Sequence, residues 1–198
     1  MSAWPRALAR LTRTLHIYLS MLGMVVVLFF AVTGITLNHA DAFGVGHDTA
    51  PASHTLEGRI TVGRRDGALD RLSIAEQLRA QFAIAGAVTS FEVDEPECRV
   101  VFKRPGSTAD ASVDLDTGHV TVVVESAGWV SVINDLHMGR AAGPWWSLAI
   151  DAAAVLMIVA SLTGGLLLFT LPSRRAVGLV VGVVGGLAFG AVYYWLVP

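Results

Sequence analysis

Three histidines, His16, His39 and His137, stand at the ends of apolar runs, and a single carboxylate, Asp151, lies inside one. An imidazole so placed can offer a ring nitrogen to a metal, carry a proton near neutral pH, or simply hydrogen-bond at an interface. His16 and His39 bracket a stretch, Ile17 to Leu37, without a charged side chain. On one continuous helix they would sit roughly 34 Å apart at 1.5 Å per residue, so they cannot serve one small site. His47 and His54 fall in a stretch rich in Gly, Pro, Ser and Thr, match no metal-ligand spacing, and read as solvated loop histidines. No serine or cysteine has an evident base, and Asp94, Glu95 and Glu97 cluster at a turn-like Pro96, where solvation rather than catalysis is expected.

The elements that must position these histidines follow from composition. The chain has 198 residues, 54% apolar and 15% charged, with a mean hydropathy of +0.59. That is too apolar for an ordinary soluble domain. Charges concentrate between Asp41 and Arg140, whereas 15–39, 143–170 and 176–198 are apolar and long enough for a bilayer core needing about 20 residues. The expected fold is therefore an α-helical membrane protein with three transmembrane helices and a small α+β extracytoplasmic domain. Residues 1–14 form a lead, with Trp4 at headgroup level and Pro5 in a first helical turn. Residues 40–142 form the domain and its return segment, and 171–175 a tight loop. Arg6, Arg10, Arg13, Arg174 and Arg175 assign the lead and that loop to the cytoplasmic side. In a Gram-negative cell the domain is then periplasmic and the protein a multi-pass resident of the inner membrane. The net charge of −2 argues against a general nucleic-acid binder, and the single cysteine, Cys98, excludes an internal disulfide.

Within the domain a strand is expected near Arg59 to Val62. A helix is expected from Ser73, opened by a Ser73…Glu76 capping box and stopped near Gly86. Strands at 90–94, 99–104, 111–116 and 120–125 follow, the third alternating Ala111, Val113, Leu115 against Ser112, Asp114, Asp116. One helix on a small antiparallel sheet is the economical arrangement. The chain returns to the membrane at Trp145 and Trp146, with Pro144 in the first turn of the second span.

The spans carry a weak internal repeat. Leu15-His16 and Leu136-His137 are each followed by an apolar run that ends in Thr-Gly, at Thr33-Gly34 and Thr163-Gly164. His16, Gly23 and Gly34 fall within about 20° of one helix face, which can approach another helix or a flat ligand closely. Asp151, about two turns into the second span, needs a partner, and Arg140 and an outer imidazole are candidates. Gly178, Gly182, Gly186 and Gly190 stripe the third span for close packing against another span or a second copy.

In this order the motifs resemble the PepSY-associated transmembrane helix proteins of bacteria: Leu-His, a span ending Thr-Gly-x-x-Leu, an outer domain, Leu-His-x-Gly, and a second span ending Thr-Gly. Val113 to Val120, VDLDTGHV, resembles the Val-Asp-x-x-Thr-Gly-x-Val hairpin of PepSY domains. The resemblance implies iron reduction through membrane haems ligated by histidine, or, from other PepSY domains, peptidase inhibition. A b-type haem held from both sides needs two neutral imidazoles and small residues against the ring. His39 and His137, on the same side, are the intrachain pair that orientation permits, with Asp151 or Asp135 as hydrogen-bond acceptors for an imidazole. His16 would pair with a second copy's His16, take another axial ligand, or occupy an interface. Two function classes follow: a haem b electron-transfer protein with a redox partner, or an anchored module that binds an extracytoplasmic protein. A homodimer through the first span or the glycine face of the third fits either. Ala40-Asp41-Ala42 also imitates a signal-peptidase site. With epitope tags at both ends, blotting should show both tags on one full-length band; a band that has lost the N-terminal tag would point to cleavage instead.

Overall fold

The computed structural model describes residues 6–45, 51–65 and 67–197, so Trp4, Pro5 and His47 lie outside the described residues. The chain forms two compact units, residues 1–28 with 151–198, and residues 29–150. Among the described residues three helices are long and apolar enough to cross a membrane: α1 (Arg6–Asn38), α4 (Gly143–Phe169) and α5 (Pro172–Leu196). The protein is a membrane protein. Helix α1 is continuous from Arg6, so its described part includes the basic segment expected to be a separate lead. Pro144 occupies the first turn of α4 and Pro172 opens α5, where a missing backbone N–H costs nothing. No residue of α5 is buried. Its Gly178 meets Leu168, whereas Gly182, Gly186 and Gly190 face open space.

The second unit holds a five-stranded antiparallel sheet: β1 (Ala52–Arg59), β4 (Ala87–Asp94), β5 (Glu97–Arg104), β6 (Ser107–Asp114) and β7 (His119–Ser126). Its spatial order is β1-β7-β6-β5-β4. A two-residue ladder, β2 (Arg64–Arg65) with β3 (Ala68–Leu69), precedes helix α2 (Arg71–Phe82). The period-two pattern places Cys98, Val100 and Phe102 of β5, Ala109, Ala111 and Val113 of β6, and Val120 and Val122 of β7 in one core. Helix α2 buries Ile74, Ala75 and Leu78 there. Burial pushes the Cys98 thiol up, which makes it a small core hydrophobe.

Three expectations are corrected. The helix begins two residues before Ser73, because Asp70 supplies the N-cap, its Oδ1 accepting from the Ser73 N–H at 3.1 Å. Glu76 pairs with Arg79 and does not reach back. The helix ends at Phe82, before Gly86, with Ala83 turned left-handed at φ 53°. The first strand is β1, earlier than Arg59 to Val62, and ladders along its whole length with β7.

The β6–β7 turn explains the PepSY-like octet. Asp114 Oδ1 accepts from the Asp116 N–H at 3.0 Å and the Thr117 N–H at 2.7 Å, and the Thr117 hydroxyl accepts from the His119 N–H at 3.2 Å. Gly118, at φ 69°, lets the end of β1 approach: the Ile60 N–H donates to its carbonyl at 2.9 Å, and an added Cβ would collide with the Ile60 carbonyl oxygen. Donation from Thr117 holds the Asp114 carboxyl below its ordinary value. Its stabilising effect is therefore complete above the ordinary carboxylate range and lost as pH falls through the lowered value. Asp114→Asn keeps the acceptor oxygen without the charge. Thermal melts of the full chain should show a shallower acid-induced loss for this variant than for the unsubstituted protein.

Candidate functional site: two histidine clasps

In the second unit the last turns of α1 lie against helix α3 (Gly128–Met138), an element that sequence reading left as an unassigned return segment. The buried Thr33 hydroxyl donates to the Phe29 carbonyl one turn back, at 2.7 Å. Its oxygen can then only accept, and His137 Nδ1 lies 2.6 Å away. With that hydrogen on the Phe29 carbonyl, the His137 proton sits on Nδ1 and Nε2 is left as the lone pair. The imidazole meets the Phe30 ring edge-on at 5.0 Å, and its Cε1 lies 3.7 Å from the Cβ position that Gly34 leaves empty. One turn earlier on α3 the buried Asn134 side chain accepts from the Thr36 hydroxyl at 2.6 Å.

The end of α3 is fixed in the same way. Gly139 is left-handed at φ 69°, its N–H reaching the Leu136 carbonyl, and the Arg140 N–H reaches the Asp135 carbonyl at 2.8 Å. Trp146 of α4 donates its indole N–H to the Leu136 carbonyl at 2.8 Å. Helix termini and a tryptophan thus leave His137 little freedom.

The first unit repeats the arrangement with the partners exchanged. His16 Nδ1 lies 3.1 Å from both the Ala160 carbonyl and the Thr163 hydroxyl. A carbonyl can only accept, so the proton is again on Nδ1. The Thr163 hydroxyl turns back to the Val159 carbonyl at 2.9 Å, as Thr33 does to Phe29. His16 Cε1 lies 3.0 Å from the Cβ position of Gly164, so the imidazole presses on bare backbone. The Ser20 hydroxyl faces its Nε2 at 3.4 Å. Beside it runs an apolar groove of about 430 Å³, walled by Ser20, Gly23, Met24, Met157, Ala160 and Ser161 among others.

The two halves of the repeat therefore dock crosswise. Leu15-His16 meets Thr163-Gly164, and Leu136-His137 meets Thr33-Gly34, by the same atoms in the same order. Both motifs are visible in the sequence as parallel copies; that each histidine serves the other copy's threonine is a tertiary fact.

The remaining candidates stand apart. His39 is exposed at the start of a short 3-10 turn (Ala40–Phe43), its N–H bonded to the Ile35 carbonyl, and its side chain makes no hydrogen bond among the described residues. His54 is exposed on β1, and Asp151 is exposed on α4. Asp135 accepts from the Gly106 N–H at 2.8 Å through its carboxylate, and the Arg140 side chain is exposed. Among the described residues no cluster of three His, Cys, Asp or Glu side chains could hold a metal ion.

Thr33→Val should strand the His137 Nδ1–H and cost about 1–3 kcal/mol. Thr163→Val should cost less, because the Ala160 carbonyl still accepts from His16. Thermal unfolding of the full chain in detergent, with Thr33→Ser restoring stability, checks this order.

A family model described as PepSY_TM-like matches residues 10–198. No curated protein and no solved structure matches the chain.

Proposed function

The chain belongs to the PepSY_TM-like family, and on that premise we propose that it is a haem b electron-transfer protein of the bacterial inner membrane, acting in the reduction of iron or another metal outside the cytoplasm. The observation that carries this reading is the His137 ring, anchored through Nδ1 on the Thr33 hydroxyl at 2.6 Å while its Nε2 has no hydrogen-bond partner among the described residues. A threonine hydroxyl bonded at Nδ1 orients the ring, as acceptors behind ligating histidines do.

Imidazole is the donor type that a b-type haem takes. His137 offers an Nε2 without a hydrogen bond among the described residues, and His39, exposed at the end of α1, offers a second imidazole. His16 borders an apolar groove with small residues on its walls, the lining a flat hydrophobic ring requires. A second copy, packed on the α5 glycines that face open space, would bring a second His16. The bound iron would supply one-electron exchange. The protein's own contribution is to hold its imidazoles correctly turned and to exclude water with apolar helices. The sheet domain would stand on the outer side, where it meets a redox partner or a metal complex.

A second reading, an anchored PepSY module that recognises an extracytoplasmic protein without haem, draws support from the same contacts. The imidazoles already serve as packing pieces between helices. One spectrum separates the two. Membranes containing the overproduced protein should give a Soret band that sharpens with dithionite. His137→Ala should abolish at least one haem signal, while Asp94→Ala leaves the spectrum unchanged. A colourless preparation from haem-replete cells would sink the haem reading and favour the binding module.

A further inference from the structure

A polar cavity of about 260 Å³ lies at the foot of the sheet, where β5 and β7 end and β6 begins, close to the start of α4. Lys103, Arg104 and Arg140 line it, with the hydroxyl residues Thr108 and Ser131. All three basic side chains are exposed, and none has an ion-pair partner among the described residues. Two carboxylates also line the cavity. Asp135 accepts from the Gly106 N–H at 2.8 Å and, with Glu125, sets two carboxylates against three cations, so the wall keeps an excess of positive charge. Cation-rich and open, the cavity fits an anion with several acceptor oxygens.

Its depth relative to a membrane follows from its own residues. Arg140 and Ala141 on its wall immediately precede Gly143 and Pro144, where α4 begins. Trp145 in the first turn of α4 is 83% exposed, and Trp129 in the first turn of α3 is 72% exposed. A ring left uncovered at the start of a span, as Trp145 is, marks the headgroup layer. Basic pockets at that level bind lipid headgroup phosphates.

We propose that this cavity is a binding site for the phosphate of an anionic glycerophospholipid, gripped by Arg104 and Arg140 with Lys103. The site is independent of haem and would tie the sheet domain to the bilayer by its headgroups.

The test uses the full chain in mild detergent, probed by native mass spectrometry with phosphatidylglycerol, phosphatidylcholine and inorganic phosphate added separately. Retention of phosphatidylglycerol should exceed that of phosphatidylcholine by about tenfold, a difference worth about 1.4 kcal/mol. Arg104→Ala with Arg140→Ala should remove one retained lipid, and Ser131→Glu, which adds a carboxylate to the wall, should do the same. Arg174 and Arg175 give a background of bound anionic lipid that these variants leave in place, and Arg99→Ala, on the outer sheet face, should change nothing. An unaltered thermal midpoint shows that the variants fold. Equal retention of the two lipids, or unchanged retention in both pocket variants, overturns the proposal. Tight binding of inorganic phosphate with no lipid preference overturns it too, since the ligand would then be a soluble phosphate.

Discussion

Everything near the span ends answers to one constraint: a polar hydrogen among apolar helices must find an acceptor inside the protein. Hydrocarbon offers none. The imidazole N–H of His137 finds the Thr33 oxygen, which is able to accept because its own hydrogen is spent on the Phe29 carbonyl. The Thr36 hydroxyl finds the Asn134 side-chain oxygen, and the indole N–H of Trp146 finds the carbonyl of Leu136. No side-chain nitrogen or oxygen that is buried among the described residues lacks a partner. Because these partners lie on different helices, satisfying them fixes how α1, α3 and the start of α4 meet.

The sheet domain solves a different problem with ordinary means. About 85 residues can bury only one modest core, and here one helix covers one face of five strands. The opposite face is left to charges, such as the Arg99–Asp110 pair, in which the hydrogen bond to Asp110 pushes the Arg99 pKa up. Gln77 of α2 bridges both backbone groups of Thr61, at 2.9 and 2.8 Å, and so closes the helix onto the segment that follows β1. The hairpin turn at Asp114 to Gly118 then sets the register of β6 and β7 on which that core depends.

How much of this could be read from sequence depended on the range of the cause. The alternation of Ala111 and Val113, the proline in the first turn of α4 and the three apolar runs are local, and the structure has them where the residues put them. The start of α2 went astray because two acceptors compete there. Asp70 and Ser73 are both good caps, and the carboxylate three residues upstream takes the position. Helix α3 was missed because its apolar residues divide between contacts with α1 and open surface. Val130 is buried while Trp129 is exposed, so no single stripe signals it. The crosswise docking of the repeat lay beyond any local signal, since His137 and Thr33 are 104 residues apart.

That docking also ranks the histidines by what remains of each ring. The Nδ1 bond is common to both clasps, so it cannot distinguish a ligand from a packing piece. Nε2 can. In His16 it is faced by the Ser20 hydroxyl at 3.4 Å, a donor that would have to turn away before the lone pair met a metal. In His137 it has no hydrogen-bond partner among the described residues, although the same ring is held by a 2.6 Å bond and an edge-on phenylalanine. An oriented imidazole with one nitrogen anchored and the other unengaged is the arrangement that a ligating histidine needs. Within the haem reading proposed above, His137 is therefore the ligand to test first, while His16, pressed onto Gly164 and faced by Ser20, is the better fitted to holding helices together.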